Sequence, residues 1–281
     1  MKSKVCLVTG ATSGIGKVTA LELARRGATV VAVGRDAAKG AALVAEIKAA
    51  AQHVDVHFMR CDLSSQASIR ALAAAFTARF YRLDVLVNNA GAIFGERRLT
   101  VDGIEMTFAT NHLAYFLLTN LLLDVIVASG AARIVSVAST AHHRSPFDLD
   151  DLQFERRPYS MMGAYGASKL ANVAWSAELA RRLQGTRVTA NCLHPGVIAS
   201  GFGKEGNAFI RHGIRIVAPF LLSPEKGAAT TIYLARSREV EGVTGKYFDK
   251  QKPVACSPVA LEAETRRRLW LISEQLTAQR A

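Results

Sequence analysis

Short apolar runs alternate along this chain with longer segments of helical period, and the two patterns predict a regular succession of elements. Residues 5–9 read as a strand, followed by a glycine-rich turn and a helix to about Arg26. Residues 29–33 predict a second strand and 37–51 an alanine-rich helix. Strands follow at 54–59 and 85–87, with a helix over 65–80 between them. One long apolar helix is predicted over 103–127, then a strand at 134–137, a helix at 165–183, a strand at 188–192 and a short last strand near 246–248. The strands are almost uninterrupted apolar runs, as strands buried on both faces of a parallel sheet must be. The expected fold class is α/β: a doubly wound parallel sheet of about seven strands flanked by helices.

Two segments break the rhythm, and both follow strands at the carboxyl edge, where open α/β sheets bind ligands. Residues 140–163 carry Asp150 and Asp151 in succession and two prolines. Residues 198–223 carry Phe202, Phe209, Ile210, Ile214, Ile216 and Val217 and read as a substrate lid. With Arg211 and Arg215 the apolar run up to Leu222 would also suit a membrane surface, so peripheral membrane contact stays open beside the preferred lid reading.

Composition adds little to the fold and more to the partners. A length of 281 residues fits one large α/β domain, 1–281, and 7 prolines without a Gly/Ser-rich run offer no interdomain linker. The formal net charge of +12 is spread over scattered pairs such as Arg25–Arg26, Arg97–Arg98 and Arg181–Arg182, with Arg266–Arg268 as the one triplet. No aromatic residues interleave with them, so a solvated basic surface is expected and no nucleic acid partner. Such a field also draws in a phosphate-rich ligand. The 4 cysteines form no CxxC pair and the 7 histidines show no ligand spacing, so no metal is expected. The first apolar stretch is too short for a signal peptide, and no run nears the roughly 20 apolar residues of a membrane span. A cytoplasmic protein is therefore expected.

The candidate chemistry begins in the first turn. Gly10, Thr12, Ser13, Gly14, Ile15 and Gly16 follow the first strand and open a helix, where the backbone can approach a pyrophosphate and the helix N-terminus favours its charge. That placement makes the domain Rossmann-type. After the second strand stands Arg35, whose planar fork suits a ribose phosphate and so NADP(H); Lys17 could add a second charge. The alternative, a solvated Arg35 with Asp36 on the ribose, stays open. Asp62, beside Leu63, could accept from an adenine amino group. Asn89, Ala90 and Gly91 follow the fourth strand, where small residues let a nucleotide lie close; Asn88 and Asn89 could equally tie strand ends together. Tyr165 and Lys169 share a helix face at i and i+4, so the ammonium is expected to lower the phenol and ready it for proton exchange. Ser139 can bond the substrate oxygen, and Asn111 can hold a relay water behind Lys169. His112 and His194 are expected to pack near the cleft, His142 and His143 to line the pocket or be ordinary loop positions, and Trp175 to be core or interface.

Taken in order, TGxxxGIG, NNAG, Asn111, Ser139, YxxxK and a Pro-Gly turn resemble the short-chain dehydrogenase/reductase family over about residues 4–250. The resemblance implies a catalytic tetrad of Asn111, Ser139, Tyr165 and Lys169, with Tyr165 as proton donor or acceptor and Lys169 also on the nicotinamide ribose. It implies that Pro195, Gly196, Val197, Ile198 and Ser200 meet the nicotinamide carboxamide, Ser200 standing where threonine is more usual. Thr110–Leu113, Ala164–Asn172, Leu193–Gly196 and Asp150–Leu152 resemble the retinol dehydrogenase-like branch, which implies lipophilic aldehydes, ketones and alcohols as substrates, usually with NADP. The expectation is an NADP(H)-dependent carbonyl reductase or retinol dehydrogenase-like enzyme acting on a small lipophilic carbonyl/alcohol pair, with a homo-oligomer allowed. The alternative is a regulatory protein that senses NADPH without turnover.

Overall fold

The computed structural model describes residues 1–51, 54–196 and 222–278. Seven parallel strands form the sheet: β1 (Val5–Thr9), β2 (Thr29–Gly34), β3 (Val56–Arg60), β4 (Val85–Asn88), β5 (Arg133–Val137), β6 (Thr189–His194) and β7 (Tyr247–Asp249). An eighth, β8 (Lys252–Val254), pairs antiparallel with β7, and the order is β3-β2-β1-β4-β5-β6-β7-β8. The strand pattern missed β8 because Lys-Pro-Val has no apolar run; all three residues are exposed, as suits an edge. The sheet winds outward in both directions from β1 and β4, so the crevice at their carboxyl ends is the switch point where such sheets take ligands.

Alternation along each strand fills both faces. Cys6, Val8, Val30, Ala32, Val85 and Val87 form one core with Leu23 of α1 (Gly14–Arg25) and Leu43 and Ile47 of α2 (Ala37–Ala50). Leu7, Val31, Val33, Leu86 and Ile134 face the other way, against Phe76 of α3 (Gln66–Thr77) and the helices between β4 and β6.

The helix predicted over 103–127 is broken. It consists of α4 (Met106–Phe108), a π-helical turn (Ala109–Leu113), α5 (Ala114–Leu121) and α6 (Leu123–Ala128). A π turn inserts one residue and disturbs the i→i−4 ladder; here Asn111 sits at its centre and its carbonyl accepts from the Asn172 side chain at 2.8 Å. The apolar pattern alone does not reveal such a turn, since the buried stripe continues through it. Beyond come α7 (Met161–Arg182), α8 (Pro224–Arg236) and α9 (Ala263–Thr277). Most of the segment read as a lid, 198–223, lies outside the described residues; Ser223 within it caps α8. Among the described residues no helix is long and apolar enough to cross a membrane.

Candidate active site

The glycine turn packs tightly against the end of β4. Gly10 has φ +64°, and a Cβ there would come 2.9 Å from Ala90 Cα. A side chain on Gly16 would strike the Gly10 carbonyl and the Asn89 amide, 2.5 Å away. Thr9 and Asn89 clasp the two strand ends: Asn89 Nδ2 donates to Thr9 O at 2.8 Å and the Asn89 and Ala90 amides donate to Thr9 Oγ1. Asn88 is buried and donates to Thr119 Oγ1 at 3.0 Å. Asn89 therefore ties the ends of β1 and β4, while Asn88 ties β4 to α5. Among the described residues, no side chain caps the N-terminus of α1. Ser13 stands at the cap position with no side-chain hydrogen bond and the first turn carries no carboxylate, whereas Asp36, Ser65, Ser160 and Ser223 cap α2, α3, α7 and α8. Uncapped amides at a helix start favour an anion.

At the ends of β2 and β3, Gly34 stands beside Thr12, whose methyl would lie 2.9 Å from a Cβ on Gly34. Arg35 follows, exposed. Its carbonyl accepts from Arg60 Nε at 3.2 Å, and Arg60 stands opposite Gly34 in the β2–β3 register. Arg60 was missed in the sequence, because only strand pairing brings it to Arg35. Asp36 is engaged as the α2 cap, accepting from Lys39 N at 3.0 Å, and this bond holds its carboxyl below the usual range. Lys17 pairs with Glu46 at 2.7 Å, so its charge is shared. Asp62 is exposed and accepts from the Ser64 amide and hydroxyl at 3.0 and 2.8 Å, and Leu63 is half-buried beside it.

The four candidate chemical residues meet below this edge. Lys169 is buried and donates from Nζ to Val137 O at 2.9 Å, with Nζ 5.7 Å from the Tyr165 ring centroid. Burial pushes Lys169 down to about 7. Burial also pushes the Tyr165 phenol up to about 12, against the opposing effect of its hydrogen bond with Ser139. The expectation is a phenol lowered by Lys169; here the phenol is raised, because desolvation by burial exceeds the lowering by the Ser139 bond. Asn111 is fully buried. Its Oδ1 accepts from Ala92 N at 2.8 Å, and its Nδ2 donates to Ala92 O and to Ser168 Oγ. Gly91 closes the group: a Cβ there would lie 3.2 Å from Asn111 Oδ1 and 3.4 Å from Lys169 Nζ. Glycine at this position lets Asn111 Oδ1 and Lys169 Nζ pack close against the loop.

The histidines take structural places. His142 is buried; its Nδ1 meets Ser139 O at 2.6 Å and its Nε2 accepts from Ser257 N, so the proton is on Nδ1. His143 is exposed, and His194 accepts from Thr140 N at 3.4 Å. Trp175 is core. Pro195 and Gly196, at φ +88°, follow β6 at the same edge, whereas Val197, Ile198 and Ser200 lie outside the described residues.

Residues 4–211 match the family model of the short chain dehydrogenases. The chain belongs to the short-chain dehydrogenase family. It is 43% identical to human retinol dehydrogenase 13 over 99% of this chain and 86% of that protein. It is also 43% identical to mouse retinol dehydrogenase 12, over 97% and 86%. A crystal structure of an uncharacterized protein from Mycobacterium paratuberculosis is similar, with a TM-score of 0.79 and 35% identity over 98% of this chain and 94% of that one. The Pseudomonas aeruginosa RhlG/NADP active-site complex is similar with a TM-score of 0.71 and 29% identity, over 88% and 94%. As a short-chain dehydrogenase of the retinol dehydrogenase-like branch, the protein is an oxidoreductase.

Proposed function

We propose that the protein is an NADP(H)-dependent oxidoreductase that interconverts small lipophilic aldehydes or ketones and their alcohols. The observation that carries this reading is the grouping of Tyr165 with Ser139, and of Lys169 with Asn111 around Gly91, under the carboxyl edge of the sheet. When bound, the nicotinamide supplies or accepts the hydride. Ser139 Oγ and the Tyr165 hydroxyl hold the carbonyl oxygen, and Tyr165 gives up its proton as charge develops there. With its phenol raised, Tyr165 is protonated at neutral pH and fits the donor role. Lys169, fixed on Val137 O, favours the phenolate left behind, and its ammonium would hold the nicotinamide ribose.

The uncapped start of α1, with Gly10, Thr12, Ser13, Gly14, Ile15 and Gly16, would hold the pyrophosphate. Arg35, with Arg60 bonded to its carbonyl, would hold a ribose phosphate, while Asp36 is committed to its helix cap. Asp62 and Leu63 would border the adenine, Asn89, Ala90 and Gly91 the adjoining ribose, and Pro195 and Gly196 the carboxamide. The RhlG relative solved with NADP and the retinol dehydrogenases named above support the cofactor and the lipophilic substrate class.

The test is NADPH oxidation with medium-chain aldehydes, aromatic ketones and retinal, with NADH run in parallel. Turnover with NADPH, and slower or none with NADH, is expected. NADPH binding with no turnover across the panel would overturn the reading in favour of a sensor.

A further inference from the structure

Helix α9 lies beyond the residues that match the family model, yet it is bound into the core beside the candidate site. Its Trp270 packs edge-on against Phe116 at 5.0 Å between ring centroids, with the Arg182 guanidinium 3.9 Å from the indole. One turn further, Ser273 is fully buried, and its Oγ lies 3.0 Å from His112 Nε2. His112 Nδ1 lies 3.1 Å from Asn172 Oδ1, and Asn172 Nδ2 donates to Asn111 O at 2.8 Å. A continuous chain of polar contacts thus runs from α9 to the backbone of Asn111.

The polarity of that chain follows from its last bond. Because the Asn172 amide nitrogen serves Asn111 O, its oxygen faces His112 and needs a donor. The proton of His112 therefore sits on Nδ1. The ring is neutral at neutral pH, burial pushing it down to about 4. Nε2 is then an acceptor, and Ser273 must donate to it. Ser273 Oγ also lies 2.8 Å from Leu269 O in its own helix, but one hydroxyl proton serves one acceptor at a time, and the helical ladder already supplies that carbonyl.

We infer that Ser273, His112 and Asn172 are positioning residues, a donor chain through which the C-terminal helix fixes Asn111 at the π turn and so sets its place against Gly91 beside Lys169. Asn111 holds both backbone groups of Ala92, next to Gly91. A shift of Asn111 moves that loop toward or away from Lys169, which spoils alignment without removing a group that touches substrate. The consequence for turnover rests on the carbonyl-reductase reading; the chain itself does not.

The experiment compares Ser273→Ala with Leu276→Ala, a substitution one turn on in the same helix that weakens core packing but removes none of the chain's polar groups. Ser273→Ala is expected to lower kcat about tenfold, with KM for the carbonyl and Kd for NADPH within about twofold. Leu276→Ala should lower Tm by a similar amount with kcat nearly intact, and Ser273→Thr, which keeps the hydroxyl, should retain most of kcat. Equal kcat losses in the two alanine variants at matched Tm would reduce α9 to a packing brace and overturn the inference. Two-bond ¹H–¹⁵N spectra of the wild type should show His112 as the neutral Nδ1–H tautomer at pH 7, and the Asn111 side-chain amide should shift in Ser273→Ala but not in Leu276→Ala. An Nε2–H tautomer, or an unmoved Asn111 amide, would sink the chain. These spectra need no substrate, so they decide the inference even if no carbonyl in the panel is reduced.

Discussion

Tyr165 owes its character to two opposed effects, burial that raises the phenol and the Ser139 bond that lowers it, and burial wins. A phenol at about 12 is a ready proton donor at neutral pH and a scarce base. The phenolate fraction then grows about tenfold with each pH unit below the pKa. Alcohol oxidation, which needs the base, should rise with pH between roughly 6 and 9, while carbonyl reduction, which needs the protonated phenol and the Lys169 charge that favours the phenolate left behind, should fall above about pH 7 as Lys169 loses its proton. Initial rates in both directions across one buffer series check this, with Tyr165→Phe as control, expected to abolish both rates and to leave NADPH affinity nearly intact. Activity that survives in the phenylalanine variant would mean another group moves the proton. The pairing of Tyr165 and Lys169 was legible from their i, i+4 spacing alone. The direction of the shift was not, because it depends on how much protein surrounds the two groups.

The ends of β2 and β3 show what elements add to residues. Arg35 was legible because it directly follows an apolar strand. Arg60 was not, since its approach to Arg35 comes from the Gly34–Arg60 register of neighbouring strands. Arg35→Asp should weaken NADPH binding by about tenfold to a hundredfold, the scale of a lost charged hydrogen bond made worse by repulsion, and should shift preference toward NADH. Arg60→Ala, which removes a charge without adding an opposing one, should weaken NADPH by about threefold to tenfold and leave NADH unchanged. Isothermal titration with both nucleotides checks the pair; equal effects on NADPH and NADH would place the arginines away from the phosphate. The π turn escaped for a related reason. Phe108, Leu113 and Phe116 continue one buried stripe across it, so hydrophobic pattern reports which face is buried and not how the backbone ladder is closed.

At the scale of the whole molecule, strand-and-helix alternation made the doubly wound fold legible, while α9 was left unassigned because Arg266–Arg268 interrupt its apolar stripe of Leu269, Trp270 and Leu276. That helix and Ser257 are the anchor points of two buried histidines, His112 and His142, both pushed down to about 4 by burial. His194 is also lowered, again by burial first. In the unfolded chain these imidazoles titrate near the ordinary 6.5. Between those values the unfolded chain binds more protons than the folded protein, so folding stability falls as pH drops from about 6.5 toward about 4. Glu105, raised by burial, acts in the opposite sense, one group against three. Glu178, held low by its bond from Arg181 and further by Arg182, loses its contribution only at more acid pH, through the carboxylate range. Thermal unfolding followed by circular dichroism should therefore show Tm falling by several degrees between pH 6.5 and 4.5. His142→Asn, which keeps a donor near the δ position toward Ser139, should flatten that slope even if it lowers Tm at pH 7. A Tm that holds level down to pH 4.5 would mean that the imidazoles accept protons in place, and that the C-terminal segment is joined to the candidate site less tightly than these contacts require.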